Sequence, residues 1–338
     1  MIVNLTVRAL SGPIGRRLFA PVMKDRATIF MLHRKSDAEA GIEGHSVEQI
    51  KTAITALRES GATIMRLRDL IERWRTEGSV PRNAVAFTID DGFADQAALI
   101  REAFAPLNCP ATIFAIAGFL DGKLWPWDDQ LAYAFRHSPL DRTELDVYGH
   151  RLEVDLSRPN SRDSELERIR DYIKTVPHAD LYPLVRSIAQ ALMVDLPETA
   201  PKNYRPMTWD EAREIEVLGS DVAPHSVSHR IFSRLSAEEA RSELLRSWER
   251  LRQELRNPPA IFAWPTGRRS DFTEKDIKIA QELGLRASVA TNDDYAHIPN
   301  ARDDNAFYRI NRFSLPTNIQ ETLRYGSWVE RGRQFLPL

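Results

Sequence analysis

The chain has 338 residues, of which 43% are hydrophobic and 28% charged, enough to bury a sizeable core and incompatible with wholesale disorder. Its formal net charge of −2 leaves no global field to attract nucleic acid, and no nucleic-acid partner is expected. The single cysteine, Cys109, excludes an internal disulfide framework and any multi-cysteine metal site, so a metal would fall to His, Asp or Glu.

Residues 1–26 are expected to form an amino-terminal helical segment, interleaving Arg8, Arg16, Arg17, Lys24 and Arg26 with Leu5, Val7, Leu10, Ile14, Leu18 and Phe19. The segment reads either as a packing helix or as a basic amphipathic helix on a membrane surface, and Gly12-Pro13 would interrupt it. The best apolar run, Ala111 to Leu120, is about half the ~20 residues that a bilayer demands, and no cleavable secretory pattern is visible. A cytoplasmic location is expected, with peripheral membrane contact through the basic segment as the alternative to a packing helix.

Apolar runs of strand length then alternate with helical patterns, the mark of an α/β fold with parallel strands. Ala27 to Leu32 predicts a strand ending at His33. Ser46 opens a helix that Gly61 closes, a brief strand spans Thr63 to Met65, and a second helix runs from Leu67 to Trp74. Ala84 to Ile89 predicts a strong strand leading directly into Asp90-Asp91-Gly92, followed by a helix to about Ala103 and a strand from Ala111 to Ala117. Over residues 121–203 the alternation weakens. A hairpin (Glu144 to Val147, Leu152 to Leu156) and helices near Ser164 to Thr175 and Leu181 to Met193 mark an insertion with structure of its own. The rhythm resumes with a helix at Trp209 and strands near Val217 to Ala223, Ala260 to Trp264 and Ala287 to Ala290. The main domain therefore comprises residues 27–120 and 204–338.

Four segments carry candidate chemistry at strand ends, the edge where parallel α/β folds gather reactive groups. Asp90-Asp91-Gly92 is either a turn with a helix cap or a carboxylate pair that needs a cation or a shared proton. His225 and His229 are spaced to meet one ion from one face of a helical turn, or else are surface or packing histidines. Two imidazoles and a carboxylate would leave open positions, as a catalytic zinc or iron site requires. Phe262 to Gly267 ends a strand in a Pro-x-Gly turn, and His33 follows an apolar strand; each also has an ordinary structural reading.

Together these segments resemble the polysaccharide deacetylase family, carbohydrate esterase family 4, over Thr28 to Leu120 and Pro206 to Arg312. Thr88-Ile89-Asp90-Asp91-Gly92 matches the family's Thr-Phe-Asp-Asp-Gly motif except for Ile89, and His225-Ser226-Val227-Ser228-His229 matches its His-Ser/Thr-x-x-His motif. The resemblance implies a distorted (β/α)7 barrel with an inserted α+β subdomain. It makes Asp90 the catalytic base, makes Asp91, His225 and His229 the ligands of one divalent metal, and lets Ser226 support their loop. Zinc is expected, with iron, cobalt and nickel also suited to that ligand set.

The family's late Leu-x-His motif is missing, and Met31-Leu32-His33 stands at the amino end instead, as in circularly rearranged members; His33 is then the general acid. Many relatives have an Arg and an aromatic residue in the Pro-x-Gly segment, where this chain has Ala263 and Thr266. Arg309, in Tyr308-Arg309-Ile310, is expected to replace that Arg as the contact of Asp90. Trp264 and the backbone of Thr266 are expected to serve substrate and oxyanion binding. The implied reaction is metal-dependent removal of N-acetyl groups from an amino sugar in a polysaccharide, oligosaccharide or glycolipid. A non-catalytic glycan-binding or assembly protein on the same barrel, and an O-acetyl esterase, are the alternatives.

Overall fold

The computed structural model describes residues 11–335 except 40, 159, 299 and 301. Strands in chain order are β1 (Arg26–Leu32), β2 (Thr63–Ile64), β3 (Ala84–Asp91), β4 (Thr112–Ala115), β5 (Arg142–Val147), β6 (His150–Asp155), β7 (Asp221–Pro224), β8 (Ile261–Ala263), β9 (Ala287–Val289), β10 (Ala296–His297) and β11 (Phe313–Ser314). The central sheet runs β10-β1-β3-β4-β7, with β2 added on β3 and β11 on β1, while β8 and β9 pair separately. Every pairing except β1 with β10 and the hairpin β5–β6 is parallel. With helices between the strands, this is the distorted (β/α) barrel.

β3 shows why the sequence folds this way. Val85, Phe87 and Ile89 pack outward against Ile54, Leu57 and Phe104 of the surrounding helical turns. Ala84 and Ala86 point the other way, among Ile29, Phe114, Ala263 and Trp264 of the barrel interior. The period of two carries that inward face on through Thr88 to Asp90, so the interior turns polar toward the carboxyl ends. Parallel register then aligns the ends. Leu32 pairs with Ile89, Asp91 with Ala115, and Ala115 with Pro224. His33, Asp90, Asp91 and His225 are thereby brought to one level.

Several boundaries differ by a few residues from the sequence expectation, and two have a clear physical reason. Val217 closes the helix Trp209–Val217 and is 86% exposed, and β7 begins only at Asp221, after Gly219 turns the chain at φ 86°. The hairpin turn is the two residues Tyr148-Gly149, at φ 53° and 83°, with His150 already paired to Val147. Positive φ at both turn residues matches the twist of the flanking strands.

The insertion packs its hairpin and the helices Trp127–His137, Ser161–Ile173 and Leu181–Ala191 around a core of its own that includes Leu131, Phe135, Val154, Ile169 and Ile188. At the amino end, residues 1–10 lie outside the described residues, with Leu5, Val7, Arg8 and Leu10 among them. The helix Pro13–Leu18 exposes Ile14 and Leu18 but buries Arg16, whose guanidinium donates to the Ser11 carbonyl and Ser60 Oγ at 2.9 Å. Phe19 stacks on Trp328 at 3.7 Å. Among the described residues no helix is long and apolar enough to cross a membrane.

Candidate active site

Asp91, His225 and His229 converge at the carboxyl ends of β3 and β7, with one potential ligand atom from each lying within 4.8 Å of the others. Both Nε2 atoms stand 3.6 Å from Asp91 Oδ1. Bonds of ~2.0–2.1 Å at tetrahedral angles put ligand atoms about 3.4 Å apart, so the three residues could hold one divalent ion with little movement. His225 Nδ1 lies 2.8 Å from the Ala263 carbonyl, which fixes a proton on that nitrogen and leaves Nε2 as the lone-pair donor.

The loop that carries the histidines is bent and tightly tied. Ser226 and His229 have φ of 66° and 54°, and Asp91 of 91°, values that non-glycine residues reach only when their surroundings impose them. Ser226 Oγ accepts the His229 backbone N–H at 2.8 Å. Buried Glu243 accepts the N–H groups of Val227 and Ser228 at 2.8 and 2.9 Å and the Ser228 hydroxyl at 2.5 Å. Gly92 adopts φ 93°, and a Cβ there would sit 2.8 Å from Leu120 Cδ1 and 3.2 Å from Ala115 Cβ. The turn after the carboxylates therefore excludes any side chain.

Asp90 is met by Arg312, not by Arg309. Arg312 is fully buried and clamps Asp90 with two hydrogen bonds of 2.7 Å, while it also donates to Thr88 Oγ1 and the Ala290 carbonyl at 3.0 Å. Arg309 ends a 3-10 turn, is 39% exposed and pairs with Glu274 at the surface. The reason is the alternation along the chain: Ile310 and Arg312 are both buried, whereas Arg309 is out of phase with that inward face. Trp264 is likewise corrected. It is fully buried, stacks on Phe272 at 4.8 Å and donates its indole N–H to the Tyr308 carbonyl at 2.9 Å. It fills the barrel core and presents no face to a substrate. Thr266 lies half-buried at φ 56°, with its hydroxyl on Asp271 and its carbonyl accepting from Thr291.

His33 is exposed at the end of β1, and its backbone carbonyl accepts a hydrogen bond from Gln96 Nε2 at 2.6 Å. The same buried amide donates to the Asp90 carbonyl, and its oxygen accepts the Gly92 N–H at 3.1 Å, so Gln96 staples the ends of β1 and β3. Burial would raise both carboxyls, but opposing charges prevail. Arg312, His225 and His33 hold Asp90 below the usual carboxylate range, and the neighbouring His225, His33 and His229 do the same for Asp91. Burial would lower His225, yet the nearby Asp91 and Asp90 carboxylates raise it; at His229 burial prevails and the shift is downward.

Arg312, Glu243 and Gln96 were not singled out by the sequence reading. A signal existed for two of them. Arg312 is buried in phase with Ile310, two residues before it in an extended segment, and Glu243 falls on the buried stripe Ala240, Leu244, Ser247 and Leu251 of its helix.

The polysaccharide deacetylase family profile matches residues 77–288, most of the chain and all three of the clustered residues. The chain belongs to the polysaccharide deacetylase family. It is a carbohydrate deacetylase. No curated relative matches the sequence. Solved structures share the fold: a Streptococcus pyogenes deacetylase, PplD, in complex with acetate is 14% identical, with a TM-score of 0.57 over 89% of this chain and 98% of that one. IcaB from Ammonifex degensii gives 14%, 0.55, 89% and 97%, and a de-N-acetylase from Aggregatibacter actinomycetemcomitans gives 16%, 0.53, 87% and 96%.

Proposed function

We propose that this deacetylase hydrolyses the N-acetyl group of an amino sugar within a glycan or glycolipid, with Asp90 as general base and His33 as general acid around a zinc ion on Asp91, His225 and His229. The observation that carries the reading is the division of labour between adjacent carboxylates. Asp90 is locked onto Arg312, while Asp91 faces two imidazoles. When bound, a divalent ion supplies Lewis acidity and lowers the pKa of water. The residues supply the rest. Arg312 fixes the plane of the Asp90 carboxylate and keeps it ionised, ready to take a proton from the attacking water. His33, on the neighbouring strand end, delivers a proton to the nitrogen as the C–N bond breaks, giving acetate and a free amine. The Thr266 backbone N–H serves as a donor to the oxyanion.

The absence of an Arg at position 263 would favour a barrel without turnover, but Arg312 reaches Asp90 from the segment that leads into β11 and removes that argument. Acetate release from N-acetylated and O-acetylated oligosaccharides, with metal content measured on the same sample, tests the reading. Release from the N-acetylated set with about one ion per chain supports it; release only from esters would reassign the substrate.

A further inference from the structure

A metal-binding imidazole usually donates its second ring N–H to an acceptor that fixes its tautomer and orientation. His225 has such a partner in the Ala263 carbonyl. His229 Nδ1 is buried with no hydrogen-bond partner, and it faces Asp128 Oδ1 at 3.8 Å, an atom that is also buried and unpartnered. Two complementary polar atoms stranded opposite each other are costly unless they close on one another. A shift of about 1 Å would bring them to hydrogen-bond distance.

Asp128 belongs to the insertion, in the first turn of the helix Trp127–His137. An acid placed there only to complement the helix dipole would have no reason to bury an oxygen against an imidazole. Its neighbours act on the same loop. Trp127 donates its indole N–H to the His229 carbonyl at 3.0 Å, and the Tyr182 hydroxyl donates to the Ser228 carbonyl at 3.0 Å. The Ile231 N–H donates to His178 Nδ1 at 3.0 Å. Four insertion residues thus address residues 228–231 on the barrel.

We propose that the insertion is part of the metal-holding apparatus, with Asp128 as the positioning residue that accepts the His229 Nδ1–H and aims Nε2 at the site. The inference rests on the metal reading of Asp91, His225 and His229. A carboxylate partner raises the donor strength of the ring as well as fixing it, and loss of such an outer partner typically weakens metal binding about 10–100-fold.

The test is zinc titration of the full chain against a competing chelator, with the unfolding midpoint of the metal-free protein measured alongside. Asp128→Ala should weaken zinc by at least about tenfold beyond whatever a fall in the metal-free midpoint accounts for, a separation that a merely structural role would not give. Asp128→Asn keeps an acceptor of the same shape but no charge, and should weaken zinc by about threefold or more; it decides the matter if the alanine variant does not fold. Parent-like affinity in either folded variant overturns the inference alone. A parent that binds no zinc overturns the metal reading and this inference with it.

Discussion

Replacing Arg312 by alanine removes a fully buried guanidinium and four hydrogen bonds, two of them to Asp90 at 2.7 Å. Deleting one partner of a buried ion pair leaves the other charge uncompensated and costs about 3–5 kcal/mol. The rate should fall further than stability explains. Without Arg312, burial drives the Asp90 carboxyl up, so the base is more often protonated and no longer held in plane; general base catalysis contributes about 10²–10⁴-fold, and most of that should go. The sign of the pH dependence follows. Arg312 lowers Asp90 in the folded state, so its stabilisation is fully present above the ordinary aspartate value of about 4 and is lost as pH falls through the folded value. Urea unfolding of parent and Arg312→Ala should therefore show a large gap at pH 7 that narrows in acid, with acetate release measured in parallel. Arg309→Ala is the control: its exposed pair with Glu274 should contribute no more than about 1 kcal/mol and leave turnover unchanged. Turnover within threefold of parent in Arg312→Ala, or a stability gap that does not depend on pH, would refute the reasoning.

Asp90→Asn should retain metal and lose about 10²-fold or more in turnover, whereas His225→Ala and His229→Ala should each lose the metal; elemental analysis beside kinetics separates the two roles. Trp264→Ala should cost about 3–5 kcal/mol in urea unfolding without raising KM in the folded fraction, as expected for a core residue. His178 is buried with Nδ1 accepting from Ile231 and Nε2 beside the Ile173 carbonyl, and burial brings its pKa down to about 4. The unfolded chain then binds more protons than the folded one between about pH 4 and 6.5, so stability falls as pH drops through that window, by about 2 kcal/mol from pH 7 to 5, and His178→Gln should abolish that part of the dependence.

Much of this site was legible because its chemistry is local in sequence. Asp90 and Asp91 end the strand that Ala84 to Ile89 announces, and His225 and His229 share one short loop, so motif and strand-end position coincide. The long-range partners were harder. Arg312 reaches Asp90 across 222 residues of chain, and only the phase of burial along residues 310–312 separates it from Arg309. Trp264 misled for a related reason: a strand-end aromatic in a mouth-forming turn looks like a sugar platform until its indole N–H is found on the Tyr308 carbonyl. Asp128 lay in the insertion, where the alternating pattern that organised the rest of the chain was absent.

The central claim is that this barrel turns over an acetamide with Asp90 as its base. Acetate quantified from an N-acetylated glycan panel, by the metal-loaded parent and by Asp90→Asn side by side, tests it most directly. The account predicts one acetate for each amine freed by the parent and a loss of about 10²-fold or more in the variant at equal metal content. Retained sugar binding by the metal-loaded parent with no acetate released from any substrate would contradict it.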